Sequence, residues 1–202
     1  MNEKITYENW KETSSIFEVD DDSKGATAVL KWAFGTYESD EIIYASSFGA
    51  EAVVLIDLIQ EVKPDAHIVF LDTDLHFPET YQVIEQIEKK FPDLQIEKKK
   101  PALTLEEQAS AHGTALWKRD PGLCCQKRKV EPLKEALTPR KAWISGLRRE
   151  QSPTRANTNF LNRDDKFKNL KICPLIHWTW EDVWNHIRVK GLPYNELHDQ
   201  GY

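Results

Sequence analysis

Two adjacent cysteines, Cys124 and Cys125, stand in the stretch Leu123-Cys124-Cys125-Gln126-Lys127-Arg128-Lys129-Val130. Neighbouring thiols do not reach the separation and dihedral angle of a relaxed disulfide with each other. Two soft donors beside three cations read as half of a metal or cluster site, with two small buried apolar side chains as the plain alternative. The other half is not evident. Cys173 lies between Ile172 and Pro174 in an apolar run, the address of an inert core thiol, and the histidines show no paired spacing of zincin type.

Three further stretches carry chemistry. Ser46-Ser47-Phe48-Gly49-Ala50-Glu51 places small residues where backbone amides and a helix start can receive a phosphate; a serine-capped turn is the alternative. It lacks the Gly-Lys-Ser/Thr of a Walker A loop. Asp72-Thr73-Asp74 suits a ribose, a base or a metal, or is a solvated strand end. Gly146-Leu147-Arg148-Arg149 offers two rigid guanidinium forks matched to phosphate or sulfate oxygens, against the alternative of a solvated basic loop.

The elements that must position these groups follow from hydrophobic period. The first forty residues read as a helical segment, with Ala26 to Phe34 at helical spacing and Gly35 as its stop. Glu41–Ala45, His67–Leu71, Leu94–Ile96 and Ala142–Ser145 read as strands. Helices are expected after Ser46–Glu51, from Pro78 to Phe91, over Leu105–Ala111 and Val130–Leu137, and over Glu181–Val189. Lys171–Ile176 is apolar but interrupted by Pro174, hence an edge strand or loop, and Asn157–Lys168 reads as a mobile polar loop. Trp178, Trp180 and Trp184 read as packing residues. Strands alternating with helices imply an α/β fold, a doubly wound and mostly parallel sheet in one domain spanning 1–202. Ligands bind such sheets at the carboxyl ends of the strands, and the serines, the aspartates and the arginines all fall there.

Composition narrows the partners. Forty per cent apolar and 30% charged residues, no apolar run of about twenty residues and no signal-like start describe a cytoplasmic chain with no membrane role. Three cysteines make no disulfide framework. The net charge of −6 argues against a nucleic-acid partner. Acid dominates Glu18–Asp22, whereas Lys127, Arg128, Lys129, Arg140, Lys141, Arg148, Arg149 and Arg155 make a basic middle suited to a small anionic substrate.

Taken in order, the motifs resemble the assimilatory adenylylsulfate reductase family and its phosphoadenylylsulfate reductase relatives. The matching segments are Ser46–Glu51, Leu71–Asp74 with Phe77–Tyr81, Cys124-Cys125 with Arg128–Val130, Gly146–Ser152, and Pro174-Leu175 through Leu192–Tyr194 to His198-Asp199. The resemblance implies an adenine-nucleotide α-hydrolase-like (PP-loop) fold whose serine loop, Ser46, Ser47, Phe48 and Gly49, cradles the substrate. Asp72 and Thr73 would lie along the adenosine, and Arg148 and Arg149 on the anion-binding loop. Cys124 and Cys125 would ligate two irons of a [4Fe-4S] cluster. Lys129 would balance charge between cluster and substrate, with Arg128 a weaker substrate-binding candidate. The implied reaction is thioredoxin-dependent reduction of adenylyl sulfate to sulfite and AMP, in sulfate assimilation and cysteine biosynthesis, through an enzyme thiosulfonate. A homo-oligomer is compatible with this reading.

The chain also departs from the family pattern. The family carries a Cys-x-x-Cys pair and a catalytic cysteine in a Glu-Cys-Gly-Leu-His tail; neither is in the 202 residues, so the nucleophile and two cluster ligands are expected beyond Tyr202. Asp74 stands where relatives often have glycine. Alternatives stay open: a 3′-phosphoadenylyl sulfate reductase or dual specificity, a non-catalytic nucleotide- or cluster-binding module, and an ATP pyrophosphatase of the tRNA-thiolation type. Phe48 and Glu51 stand where that last loop would have glycine and aspartate.

Overall fold

A computed structural model describes residues 4–11, 17, 19 and 21–201. β1 (Ile42–Ser46) and β2 (His67–Leu71) are short apolar runs whose central side chains are buried on both faces, as strands covered on both sides require. With β3 (Gln95–Lys99), β4 (Ala142–Ile144), β5 (Leu161–Asp164) and β6 (Asn169–Ile172) they form one sheet in the order β3-β2-β1-β4-β6-β5. Every neighbouring pair is parallel except β5 with β6.

The helices are α1 (Ala26–Thr36), α2 (Ala50–Val62), α3 (Pro78–Lys90), α4 (Leu105–His112), α5 (Leu116–Arg119), α6 (Pro121–Cys125), α7 (Glu131–Leu137) and α8 (Trp180–Lys190). Alternate strand residues serve opposite faces. Tyr44, Ile68, Phe70, Ile144 and Ile172 join one large core with α1, α2, α3 and α8. Ile43, Val69 and Trp143 meet Leu137 of α7 on the other face. α2 is apolar around nearly its whole circumference, because the sheet, α1 and α8 all pack on it.

The chain runs outward from β1 through β2 to β3, then returns to β4 on the far side of β1. Strand order therefore reverses between β1 and β4, and the crevice at their carboxyl ends is the natural ligand position of a doubly wound sheet.

Several local expectations change. Of the expected N-terminal helical segment, residues 1–3, 12–16, 18 and 20 lie outside the described residues, which also removes part of the Glu18–Asp22 stretch. The described part is helical only as α1, and α1 runs through Gly35 rather than stopping there; Tyr37 caps it. β3 extends to Lys99, its polar side chains suiting the sheet edge it occupies. β6 is an interior strand rather than an edge, because Pro174 falls after its last residue and interrupts no ladder bond. The edge is instead β5, inside the expected Asn157–Lys168 loop. Its Asn162, Arg163 and Asp164 hide a strand from any hydrophobic pattern while blunting the edge.

Candidate active site

The loop after β1 is shaped by Phe48. Its backbone is left-handed at φ +55, and its ring is buried edge-on against Phe70 at 5.5 Å. With this ring packed inward, Ser47 is left exposed and Gly49 partly so. Ser46 Oγ accepts from the Phe48 amide at 3.2 Å and Ser47 Oγ from the Gly49 amide at 3.5 Å. Gly49 begins α2 with no side-chain cap, so the first-turn amides are available to an anion.

Across the β1/β4 reversal, Arg148 joins the other loop to α2. It is 4% exposed, and its Nε and Nη2 both donate to Glu51 Oε1, at 3.1 and 2.9 Å. Nη1 donates to Glu150 and the Trp178 carbonyl, and the guanidinium stacks over Trp180 at 5.3 Å. Gln151 adds a third bond to Glu51. Burial by itself would raise the Glu51 carboxyl; Gln151, its own amide and Arg148 outweigh it and hold the group below the usual carboxylate range. Arg149 donates to the Thr158 carbonyl at 2.7 Å and to Asn159 at 3.4 Å. Both arginines thus have protein partners, and Arg148 serves to hold the two halves of the crevice together.

The end of β2 is a second charged cluster. Asp72 is buried and accepts from the Tyr81 hydroxyl at 2.6 Å and the Asp74 amide at 3.1 Å. Burial opposes its ionisation, but these donors and Lys100 prevail and keep the carboxyl low. Tyr81 is correspondingly pushed up to about 12 by burial and by Asp72. Thr73 is buried, and its Oγ1 accepts from the Leu75 amide at 3.3 Å.

The cysteine pair is carried on α6, which sequence reading left unassigned. Asp120 caps it by accepting from the Leu123 amide at 2.9 Å, and Pro121 occupies the first turn, where a missing amide hydrogen costs nothing. Adjacent helix positions diverge, so Cys124 is buried and Cys125 exposed. Both nevertheless line one cavity of about 250 Å³ with Thr73, Leu75, His76, Trp117, Pro121, Arg128 and Lys129. A π-helical turn, Gln126–Val130, follows at once. The Glu131 amide there bonds the Gln126 carbonyl five residues back, and Pro132 comes next with no amide hydrogen to offer the ladder.

That turn separates the fates of two consecutive cations. Arg128 points inward, 2% exposed, with Nε on the Thr73 carbonyl at 2.6 Å, Nη1 on Leu103 and Gln108, and Nη2 on Asp74 at 2.9 Å. It ties α6 to the end of β2. Lys129 is exposed at the cavity, and among the described residues no carboxylate pairs with it.

Sequence reading thus located four groups, and the structure brings the serine and arginine loops together at the strand reversal, with Thr73, Cys124, Cys125 and Lys129 around one neighbouring cavity. It missed Glu51, Gln151, Tyr81, Lys100 and Trp117 as partners; of these Glu51, Gln151 and Tyr81 fell within the noticed motifs, and Lys100 and Trp117 outside them. Cys173 is fully buried, and burial pushes its thiol up to about 12. Trp178 is buried as expected, but Trp180 is half-exposed in a separate cleft of about 670 Å³ with Trp184, Tyr194 and His198.

A four-thiolate group needs more than this cavity offers. Cys124 and Cys125 are free and share a wall, which suits two ligands, but among the described residues no three His, Cys, Asp or Glu side chains converge as a metal set.

Residues 41–202 match the phosphoadenosine phosphosulfate reductase domain. Among curated proteins, the adenosine 5′-phosphosulfate reductase of Lysinibacillus sphaericus is 61% identical over 198 residues, covering 98% of this chain and 84% of the relative. Among solved structures, phosphoadenylyl-sulfate (PAPS) reductase from Candida auris superposes with a TM-score of 0.75 at 31% identity, over 88% of this chain and 85% of that one. The NH3-dependent NAD synthetase of Campylobacter jejuni, at 7% identity and a TM-score of 0.60 over 92% and 79% of the two chains, shares the fold. With a domain match over most of its length and relatives at such identity, the chain belongs to the phosphoadenosine phosphosulfate reductase domain family.

Proposed function

We propose that this protein reduces adenylyl sulfate to sulfite and AMP with thioredoxin as electron donor, in sulfate assimilation. The observation that carries the reading is 61% identity, across 98% of the chain, to a protein named for that reduction. The crevice fits it: an uncapped α2 start for an anion, buried Asp72 and Thr73 along the nucleoside, and Lys129 exposed beside them.

In this reading a cysteine thiolate attacks the sulfate sulfur, the S–O bond to AMP breaks, and AMP leaves with the bonding pair. The enzyme then carries a thiosulfonate. One thioredoxin thiolate attacks its cysteine sulfur and expels sulfite; the second thioredoxin thiol closes a disulfide and returns the enzyme thiol. Cys173 is not that nucleophile: it is fully buried, and burial pushes its thiol up to about 12, too weakly acidic to attack. The uncapped first-turn amides of α2, Ala50–Ala52, hold the anion, the Glu51–Arg148 bond fixes the crevice width, and Lys129 stabilises negative charge developing on the leaving group.

Cys124 and Cys125, both free and both lining the cavity, would supply two thiolate ligands to a [4Fe-4S] cluster. When bound, that cluster supplies a compact anionic, redox-capable neighbour to the substrate. Lys129, which lines the same cavity, would offset its charge.

Sulfite release from adenylyl sulfate and reduced thioredoxin tests the reading. ATP-dependent pyrophosphate release without sulfite would overturn it in favour of a PP-loop adenylating enzyme. The kinship to a PAPS reductase at 31% identity keeps the 3′-phosphorylated substrate as a second reading, decided by comparing kcat/KM for the two sulfonucleotides.

A further inference from the structure

Asp74 lies in the loop three residues beyond β2, at φ +55, a conformation that glycine adopts freely and that aspartate and asparagine tolerate better than most residues. Its carboxylate is shared by two cations from different elements. Oδ2 accepts from Arg128 Nη2 at 2.9 Å, and Oδ1 from Lys100 Nζ at 2.5 Å. Lys100 also lies 3.7 Å from Asp72 Oδ2. Arg128 Nε and Nη1 are spent on Thr73, Leu103 and Gln108, none of them charged, so Asp74 is, among the described residues, the carboxylate that neutralises it.

Space lies beside this pair. Asp74 and Lys100 open onto a cleft of about 400 Å³ that runs along residues 100–106. Two cations, one of them held rigidly in the interior, with a cleft at hand and an anion supplied by the chain itself, amount to an anion subsite that is already filled.

We propose that Asp74 is a specificity-determining residue whose carboxylate occupies the Arg128–Lys100 cation pair and thereby disfavours the 3′-phosphate of 3′-phosphoadenylyl sulfate relative to adenylyl sulfate. The proposal rests on the reading that the nucleoside lies along Asp72 and Thr73. A phosphate monoester brings roughly −1.5 to −2 charges at neutral pH, and here it meets two carboxylates whose cations are taken. Like charges brought together across a binding site are strongly disfavoured. Removing the Asp74 charge leaves Lys100 and the outer Arg128 nitrogen to receive phosphate oxygens in charge-assisted bonds.

The test compares wild-type holoenzyme with Asp74→Asn and Asp74→Gly, both compatible with the positive φ. Two ratios are measured: kcat/KM for the two sulfonucleotides, and dissociation constants for AMP and adenosine 3′,5′-bisphosphate. The expected result is a shift of both ratios toward the 3′-phosphorylated ligand by about tenfold or more. An Asp74→Asn/Lys100→Ala double variant should lose that shift. Unchanged ratios, equal losses for both ligands, or a shift that survives loss of Lys100 would overturn the proposal. Wild-type protein that bound neither AMP nor the bisphosphate would instead sink the reductase reading, and the proposal with it.

Discussion

Arg128 and Lys129 are neighbours in sequence with opposite tasks. The π turn buries the first against the end of β2 and leaves the second at the cysteine cavity. Lys129→Ala should therefore lower kcat/KM by about a hundred- to a thousandfold, the range for one lost electrostatic stabiliser, with an unchanged unfolding midpoint. Wild-type kinetics would make it mere surface. Cys124→Ser or Cys125→Ser should abolish iron and acid-labile sulfide in anaerobically purified protein, and full retention would refute their role as ligands. Glu51 gives a pH prediction. Its carboxyl is held below its ordinary 4.5, so its contribution to stability is complete above that value and is lost as pH falls through the lower folded one. Urea midpoints should drop in acid for wild type and less steeply for Glu51→Gln; parallel curves would contradict the assignment. The chemistry-bearing residues were legible one by one, because their types are unusual in their settings. Their partners were not.

At the scale of elements, the cysteines depend on a short helix that cannot stand alone. α6 is fastened by the Asp120 cap at one end and by Arg128 in the following turn at the other. Asp120→Ala should cost about 1 kcal/mol of stability and speed iron loss to a chelator; unchanged chelation kinetics would show that the cap does not position the thiols. The main strands and helices were legible because β1, β2, α2 and α3 carry strong, uninterrupted hydrophobic patterns. α5, α6 and the π turn were not, since each is shorter than the window in which a period can be recognised. β5 escaped for another reason: an edge strand is allowed, and even selected, to be polar.

For the whole molecule, α2 is the pivot. It lies under the serine loop, packs on the sheet, α1 and α8, and carries Glu51 at its first turn. Leu55, fully buried within it, should cost about 2–5 kcal/mol when cut to alanine. Urea unfolding measures this, and a loss below about 1 kcal/mol would place the core's weight elsewhere. The sequence by itself determined that this is a parallel α/β sheet with its polar loops at the strand ends, and to which family it belongs. These follow from local period and ordered motifs, which need no knowledge of the fold. Only the tertiary structure decided which cations are spent and which remain available. Arg148 meets Glu51 from 97 residues away, and Arg128 meets Asp74 from 54. Such pairings are set by strand order and helix packing. No local pattern in the sequence encodes them, because a charge finds its partner through the fold and not through its neighbours in the chain.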